Sequence, residues 1–246
     1  MQTKLLDLLK TLKLKGMSQA LERELALADK EGLAAAQVIE RLVTQEFIYR
    51  QERSLLYHMK QGRMPCPWTL QSFPFDRQPG VNKSQIMGLA SVAFVDRTEN
   101  IVLIGDPGTG KTGLAIGLLR QALVSGRRGR FYKAQDLLDE LYASLADRSS
   151  PKLFKRLAKY DVLVIDELGC LTLNSEQINA FFKLMDERYS RKSTIITTNL
   201  DYPQWYELFK RKPLVDALLE RLKHHCITIG ISGSSLRTPD ETVPMD

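Results

Sequence analysis

The eight residues Gly105-Asp106-Pro107-Gly108-Thr109-Gly110-Lys111-Thr112 match the pattern G-x-x-x-x-G-K-[ST], and their surroundings decide how the chain can fold. An apolar run, Ile101 to Ile104, leads in as a buried strand, and Leu114, Ala115, Leu118, Leu119, Ala122 and Leu123 follow at helical spacing. Strand, glycine loop and helix in that order begin a parallel α/β unit. The glycines let main-chain N–H groups wrap an anion, and the new helix turns its positive end toward it. Lys111 adds an attraction of about 4 kcal/mol to a phosphate charge ~4 Å away at an effective dielectric near 20. Thr112 offers a hydroxyl to magnesium. A turn that only caps a helix needs neither of these two side chains, so the expected ligand is a nucleoside triphosphate.

A second apolar run, Val162-Leu163-Val164-Ile165, ends in Asp166-Glu167. Next to a phosphate loop, the first acid is expected to hold magnesium and the second to orient an attacking water. Thr194 to Thr197 form a further strand, and Asn199 just beyond it can reach the same water or the γ-phosphate; asparagine is also a common turn former after strands. No N-K-x-D or T-K-x-D guanine-reading tetrapeptide occurs, because Asn82-Lys83-Ser84-Gln85 fails at its last position, so ATP is favoured over GTP. Gly129 to Lys133 and Cys226 to Ile229 complete an expected set of five strands alternating with helical patterns, a parallel sheet covered on both faces.

Before this core, residues 2 to 62 read as helical, with breaks expected at Lys15-Gly16 and at Gly32. Leu5, Leu8, Leu9 and Leu12 form one apolar face, and Ile39, Leu42, Val43 and Phe47 another, with Arg41, Arg50 and Arg53 elsewhere around that helix. Met64-Pro65-Cys66-Pro67-Trp68 cannot continue a helix. The expected division is a helical domain at 1–65, a nucleotide domain at 66–233 and a polar tail at 234–246 that frays past Gly233.

The chain of 246 residues has no apolar run of membrane-spanning length, and Met1 to Lys15 is too interrupted by charge for a secretory signal. Cys66, Cys170 and Cys226 form no C-x-x-C pair, which suits a reducing cytoplasm and argues against a disulfide framework or zinc site. A net charge of +6 favours polyanions without choosing one. Arg127, Arg128 and Arg130 crowd one turn, and Lys152, Lys155, Arg156 and Lys159 recur at helical spacing opposite Leu153, Leu157 and Tyr160. Such a stripe suits DNA phosphates with weak sequence preference, and equally suits a solvated helix face.

Phosphate loop, hydrophobic Asp-Glu strand and strand-terminal Asn, in that order, resemble the AAA+ ATPases. The flanking sequence is similar to the branch that holds DnaC-type helicase loaders and IstB-type transposition helpers: Asn100-Ile101-Val102-Leu103-Ile104-Gly105, Lys133-Ala134-Gln135-Asp136-Leu137-Leu138 and Arg191-Lys192-Ser193-Thr194. Leu12-Lys13-Leu14-Lys15-Gly16-Met17 is similar to the IstB type in particular. The resemblance implies a three-layer α/β sandwich with five parallel strands in the order 5-1-4-3-2, and ATP sites between subunits of a homo-oligomer on duplex DNA. It also implies a transposase partner and hydrolysis completed by an arginine in trans. Arg221, in Leu218-Leu219-Glu220-Arg221-Leu222, occupies the position of that finger; it also reads as a helix-surface arginine, and Arg188 is a weaker candidate. Little chain follows the fifth strand, so no helical lid is expected, and Arg237 is a candidate substitute for a lid arginine. A helicase loader and an ATP-gated DNA scaffold share the same core and stay open as alternatives.

Overall fold

The computed structural model describes residues 2–169 and 171–237. Two compact units divide the chain, Met1–Tyr57 and His58–Asp246. Among the described residues no helix is long and apolar enough to cross a membrane. Cys66 and Cys226 are free thiols. Cys170 and residues 238–246 of the expected polar tail lie outside the described residues.

The first unit holds α1 (Gln2–Thr11), α2 (Lys15–Glu31) and most of α3 (Ala35–Gly62). The break between α1 and α2 falls at Leu12–Leu14, one turn earlier than expected, with Lys13 left-handed at φ 58°. Leu14 N–H donates to Leu9 O at 2.8 Å, and both leucines join the small core around Ala20, Leu21 and Leu42. Lys15-Gly16 therefore opens α2 rather than interrupting a helix. Gly16 is required there by close packing: a Cβ would stand 2.6 Å from Gln45 O of α3. The second break is at Gly32 as expected, a left-handed cap at φ 65° whose N–H donates to Ala28 O.

The expected apolar stripe of α3 is a correction. Only Leu42 is buried, while Ile39, Val43 and Phe47 are 60, 52 and 61% exposed. The inward positions are shared with acids: Glu24 accepts from Arg23 and Arg41 at 2.8 Å each, and Glu46 accepts from Arg50 at 2.7 Å and from Met17 N–H at 3.2 Å. Glu24 of α2 and Glu46 of α3 are buried with arginine partners, so the interior between these helices is in part polar where hydropathy alone selects apolar contacts.

The second unit is built on five parallel strands in the order β2-β3-β4-β1-β5. Their bounds are β1 Asn100–Gly105, β2 Gly129–Lys133, β3 Val162–Asp166, β4 Ser193–Thr198 and β5 Cys226–Ile231. This is the expected order read from its other edge. Side chains alternate between two cores. Ile101 and Leu103 of β1, Val162 and Val164 of β3 and Ile195 of β4 face one; Val102, Leu163, Ile165 and Ile196 face the other. Each such buried Leu or Ile contributes roughly 1.5–3 kcal/mol.

One face is covered by α4 (Lys83–Leu89), α5 (Ala93–Asp96) and α6 (Lys111–Val124), and α6 is buried at every position from Gly113 to Leu119. The other face carries α7 (Ala134–Ala146), α8 (Ser150–Ala158), α9 (Ser175–Arg188), α10 (Trp205–Phe209) and α11 (Lys212–His224). Asn174 and Gln177 form a reciprocal capping box at the start of α9. After β5 the chain does not fray at Gly233: Leu236 N–H donates to Gly108 O at 2.9 Å, and its side chain packs on the core beside α6.

Candidate functional site

The phosphate loop joins β1 to α6. Gly108 and Gly110 are left-handed at φ 87° and 93°, where an L side chain is strained. A Cβ at Gly110 would also stand 2.6 Å from the Phe73 ring. Gln78 Nε2 braces the loop from behind by donating to Thr109 O at 3.0 Å, and Thr109 Oγ1 donates to Asp106 O at 2.8 Å. Lys111 Nζ donates to the carbonyls of Gly105 at 2.6 Å and Asp106 at 2.7 Å. Burial pulls this amine below the ordinary lysine value, opposed by Asp106 and Asp166.

Asp166 ends β3 and is 2% exposed. Its Oδ1 accepts from Thr112 Oγ1 at 2.9 Å and from Thr197 Oγ1 at 2.6 Å. Burial pushes its carboxyl above the ordinary value of 3.8, against the two hydroxyls. Thr197 also accepts from Glu167 N–H at 2.9 Å, while Thr197 O accepts from Leu168 N–H at 2.9 Å. These bonds hold Glu167 at φ 61°, a conformation that costs a non-glycine residue about 1–3 kcal/mol. Its Oε2 lies 4.0 Å from Lys133 Nζ.

Register explains the convergence. Lys133 pairs with Asp166, and Ile165 with Ile196, so Lys133 and Asp166 at the ends of β2 and β3 stand in one row with Thr197, the last residue but one of β4. The row borders a cavity of about 530 Å³ that is lined by Gly108, Gly110, Lys111, Thr112, Asp166, Glu167 and Asn199. Trp68, Phe73, Leu236 and Arg237 also line it. Asn199 Oδ1 would be only 2.4 Å from a Cβ at Gly169, so glycine lets the chain after Glu167 pass the asparagine.

The donor set fits magnesium. Among the described residues no group of three or more His, Cys, Asp or Glu side chains could cage a metal. One hydroxyl and one carboxylate, Thr112 and Asp166, suit an ion that keeps waters and takes its other oxygens from phosphates.

Three of the expected residues lie elsewhere or do other work. Arg221 is outside the cavity lining, with Nη2 2.8 Å from Asp186 Oδ1 and its guanidinium 5.7 Å from the Tyr189 ring centroid. Arg188 is 1% exposed and donates to Thr194 Oγ1, Leu157 O, Tyr160 O and Ser193 O, so it braces the fold and is unable to reach a neighbouring subunit. Arg130, expected on the basic surface, is buried at 8% exposure and donates to Gln61 O at 3.1 Å. Of the other cations, Arg127 pairs with Asp96, Arg128 with Asp161 and Arg156 with Glu140. Lys152, Lys155 and Lys159 are exposed on and just after α8, with no carboxylate partner among the described residues.

Sequence reasoning missed Thr197, Lys133 and the Trp68 wall. Thr197 and Lys133 are polar side chains at or next to the end of a strand, but only the register shows that they flank Asp166.

A family model described as IstB-like ATP binding protein matches residues 7–242. A protein of insertion sequence IS21 from Pseudomonas aeruginosa, named as ATP-binding, is 36% identical over 95% of this chain and 88% of its own length. Its counterpart from IS232 of Bacillus thuringiensis subsp. berliner is 34% identical over 94% of this chain and 93% of its own. Among solved structures, the DnaC helicase loader, with a P-loop AAA+ fold, is similar at a TM-score of 0.52 and 25% identity, over 61% of this chain and 90% of that one. Phosphate loop, sheet order and these similarities along nearly the whole sequence place the chain in the family of IstB-like ATP-binding proteins.

Proposed function

We propose that this chain hydrolyses ATP as an oligomer on duplex DNA and presents that DNA to a partner transposase. The observation that carries the reading is the meeting of Lys111, Thr112, Asp166 and Glu167 around one cavity, with Thr197 fixing both acids. Lys111, now bonded to loop carbonyls, exchanges them for the outer phosphates, while the loop N–H groups and the start of α6 hold the rest. Thr112 and Asp166 would hold magnesium, which when bound would neutralise charge on the triphosphate.

Glu167 orients the attacking water toward the γ-phosphate, and Lys133 steadies its carboxylate. Asn199 borders the same end of the cavity. The adenine takes the aromatic wall of Trp68 and Phe73, with Leu236 beside Phe73 and Arg237 near the phosphates. Arg221 serves the site of the next subunit, which explains why it lies outside its own. Lys152, Lys155 and Lys159 bind DNA phosphates without reading bases. Residues 1–65 and 66–233 form the helical and ATPase domains. The insertion-sequence relatives support the transposase partner.

The test is Glu167→Gln. It keeps fluorescent-ATP binding and loses phosphate release; turnover equal to the parent protein removes Glu167 from the water-orienting role. The DnaC likeness favours a second reading, a helicase loader. Stimulation of ATP turnover by a partner transposase, and none by a replicative helicase, separates the two.

A further inference from the structure

Far along the sequence from the nucleotide loop, the helical unit contains its own cavity of about 540 Å³, lined by Lys13, Lys15, Glu46, Tyr49, Arg50 and Arg53. Four cations face one carboxylate there, and that carboxylate is already engaged. Glu46 accepts from Met17 N–H at 3.2 Å and from Arg50 Nε at 2.7 Å. Burial raises its acid, but Arg50 and the N–H groups of Met17 and Gly16 outweigh burial and hold it ionised. Glu46 thus serves the start of α2, and the charge left over toward solvent is positive.

The cations are presented in order. Lys13 and Lys15 leave the α1–α2 turn, whose backbone is fixed by Lys13 N–H on Lys10 O at 3.0 Å and Leu14 N–H on Leu9 O at 2.8 Å. Arg50 and Arg53 stand three residues apart on α3, a spacing that sets side chains on the same face of a helix. Arg53 lies over the Tyr49 ring at 5.8 Å, so its guanidinium is braced and loses less freedom on binding. Lys13, Lys15 and Arg53 have no carboxylate partner among the described residues, unlike Arg127, Arg128 and Arg156 of the basic stretches in the second unit.

We infer that this cavity is a phosphate-binding site for the backbone of duplex DNA, with Lys13, Lys15 and Arg53 touching the phosphates and Arg50, held by Glu46, adding its charge beside them. It rests only on the DNA-binding part of the proposed function and needs no nucleotide at the phosphate loop.

The experiment uses the full chain and a fluorescein-labelled duplex of mixed sequence, titrated across a potassium chloride series. Lys13→Asn suits the left-handed backbone at that position, and with Lys15→Gln and Arg53→Gln it removes three charges while leaving the Glu46 bonds. The expected result is a plot of log K against log salt shallower by about 0.9 for each phosphate no longer neutralised, or about 2.7 for three, with at least tenfold weaker binding in low salt. An unchanged slope overturns the proposal. Arg53→Gln alone, at an exposed position, gives about a third of the effect if the triple variant unfolds, and Arg53→Lys restores it. Poly-glutamate that displaces the duplex as well, charge for charge, as unlabelled duplex does overturns the assignment to DNA. So does a variant weakened only toward single strands. Fluorescent-ATP binding is measured beside it and stays constant in these variants, whereas failure of the parent protein to bind ATP sinks the ATPase reading and leaves this site standing.

Discussion

Arg221 Nη2 lies 2.8 Å from Asp186 Oδ1, so the arginine proposed to act on a neighbouring subunit is parked against its own α9. Both side chains are more than a third exposed, and such a pair contributes about 0–1 kcal/mol. The latch is weak enough for an incoming phosphate to break. Arg221→Ala is expected to keep ATP affinity and lower turnover by about 10³ or more. Mixing it with Glu167→Gln restores part of the activity, because the second protein lends its finger to the intact site of the first. No restoration in a phosphate-release assay removes the action in trans.

Lys111→Ala is expected to weaken fluorescent-ATP binding by about 10³, the equivalent of a ~4 kcal/mol charge interaction. Affinity within a factor of about two of the parent protein would remove the loop assignment.

Thr197→Val keeps volume and deletes the hydroxyl shared by Asp166 and Glu167 N–H. It leaves two buried polar groups short of a partner, an expected loss of about 1–3 kcal/mol in urea unfolding, together with slower ATP turnover. Thr197→Ser recovers both. A variant as stable and as active as the parent shows that the carboxylates do not depend on this threonine.

Asp166 gives a pH signature. Its folded pKa is raised above the ordinary 3.8 by burial, so the folded state binds the proton more tightly than the unfolded state, and the group opposes folding once ionised. Its penalty is fully present above the folded pKa and disappears as pH falls toward 3.8. Asp166→Asn, which still accepts from both threonine hydroxyls, is therefore expected to melt higher than the parent at pH 7 without nucleotide. That advantage shrinks on acidification through the window between 3.8 and the raised value. The variant also loses the melting shift that ATP with magnesium gives the parent. A variant that melts lower at pH 7 contradicts the burial penalty.

Arg188→Met tests the reassignment of that arginine to the core. Burial brings its pKa down to about 9, and its removal deprives Thr194 Oγ1, Leu157 O, Tyr160 O and Ser193 O of a guanidinium donor each. The expected cost is about 3–5 kcal/mol in urea unfolding. Measured at a temperature where the variant stays folded, its ATP affinity matches the parent's.

Much of this molecule was legible before its coordinates. Apolar runs buried on both faces have few alternatives to a parallel strand, so the five strands fell within a residue or two of expectation. The phosphate loop was legible because Gly108 and Gly110 have backbone conformations that few other residues adopt. Register was not legible. Thr197 and Lys133 are ordinary strand residues until the pairing sets them beside Asp166. The face of α3 was not legible because hydropathy assigns Glu46 to water, whereas it is buried with Arg50 and the start of α2 to satisfy, and Arg41 of α3 turns to the buried Glu24 of α2. Arg188 was hidden for the same reason: its buried guanidinium serves the carbonyls of Leu157, Tyr160 and Ser193, an acceptor set that charge counting does not see.

The hydrogen bond from Leu236 N–H to Gly108 O ties the amide of one late residue to the middle of the phosphate loop. Proton exchange at this single amide is therefore a built-in reporter. It is slow while the glycine carbonyl faces Leu236 and quickens whenever the loop rearranges, which lets deuterium uptake follow the loop's state without a label on the nucleotide.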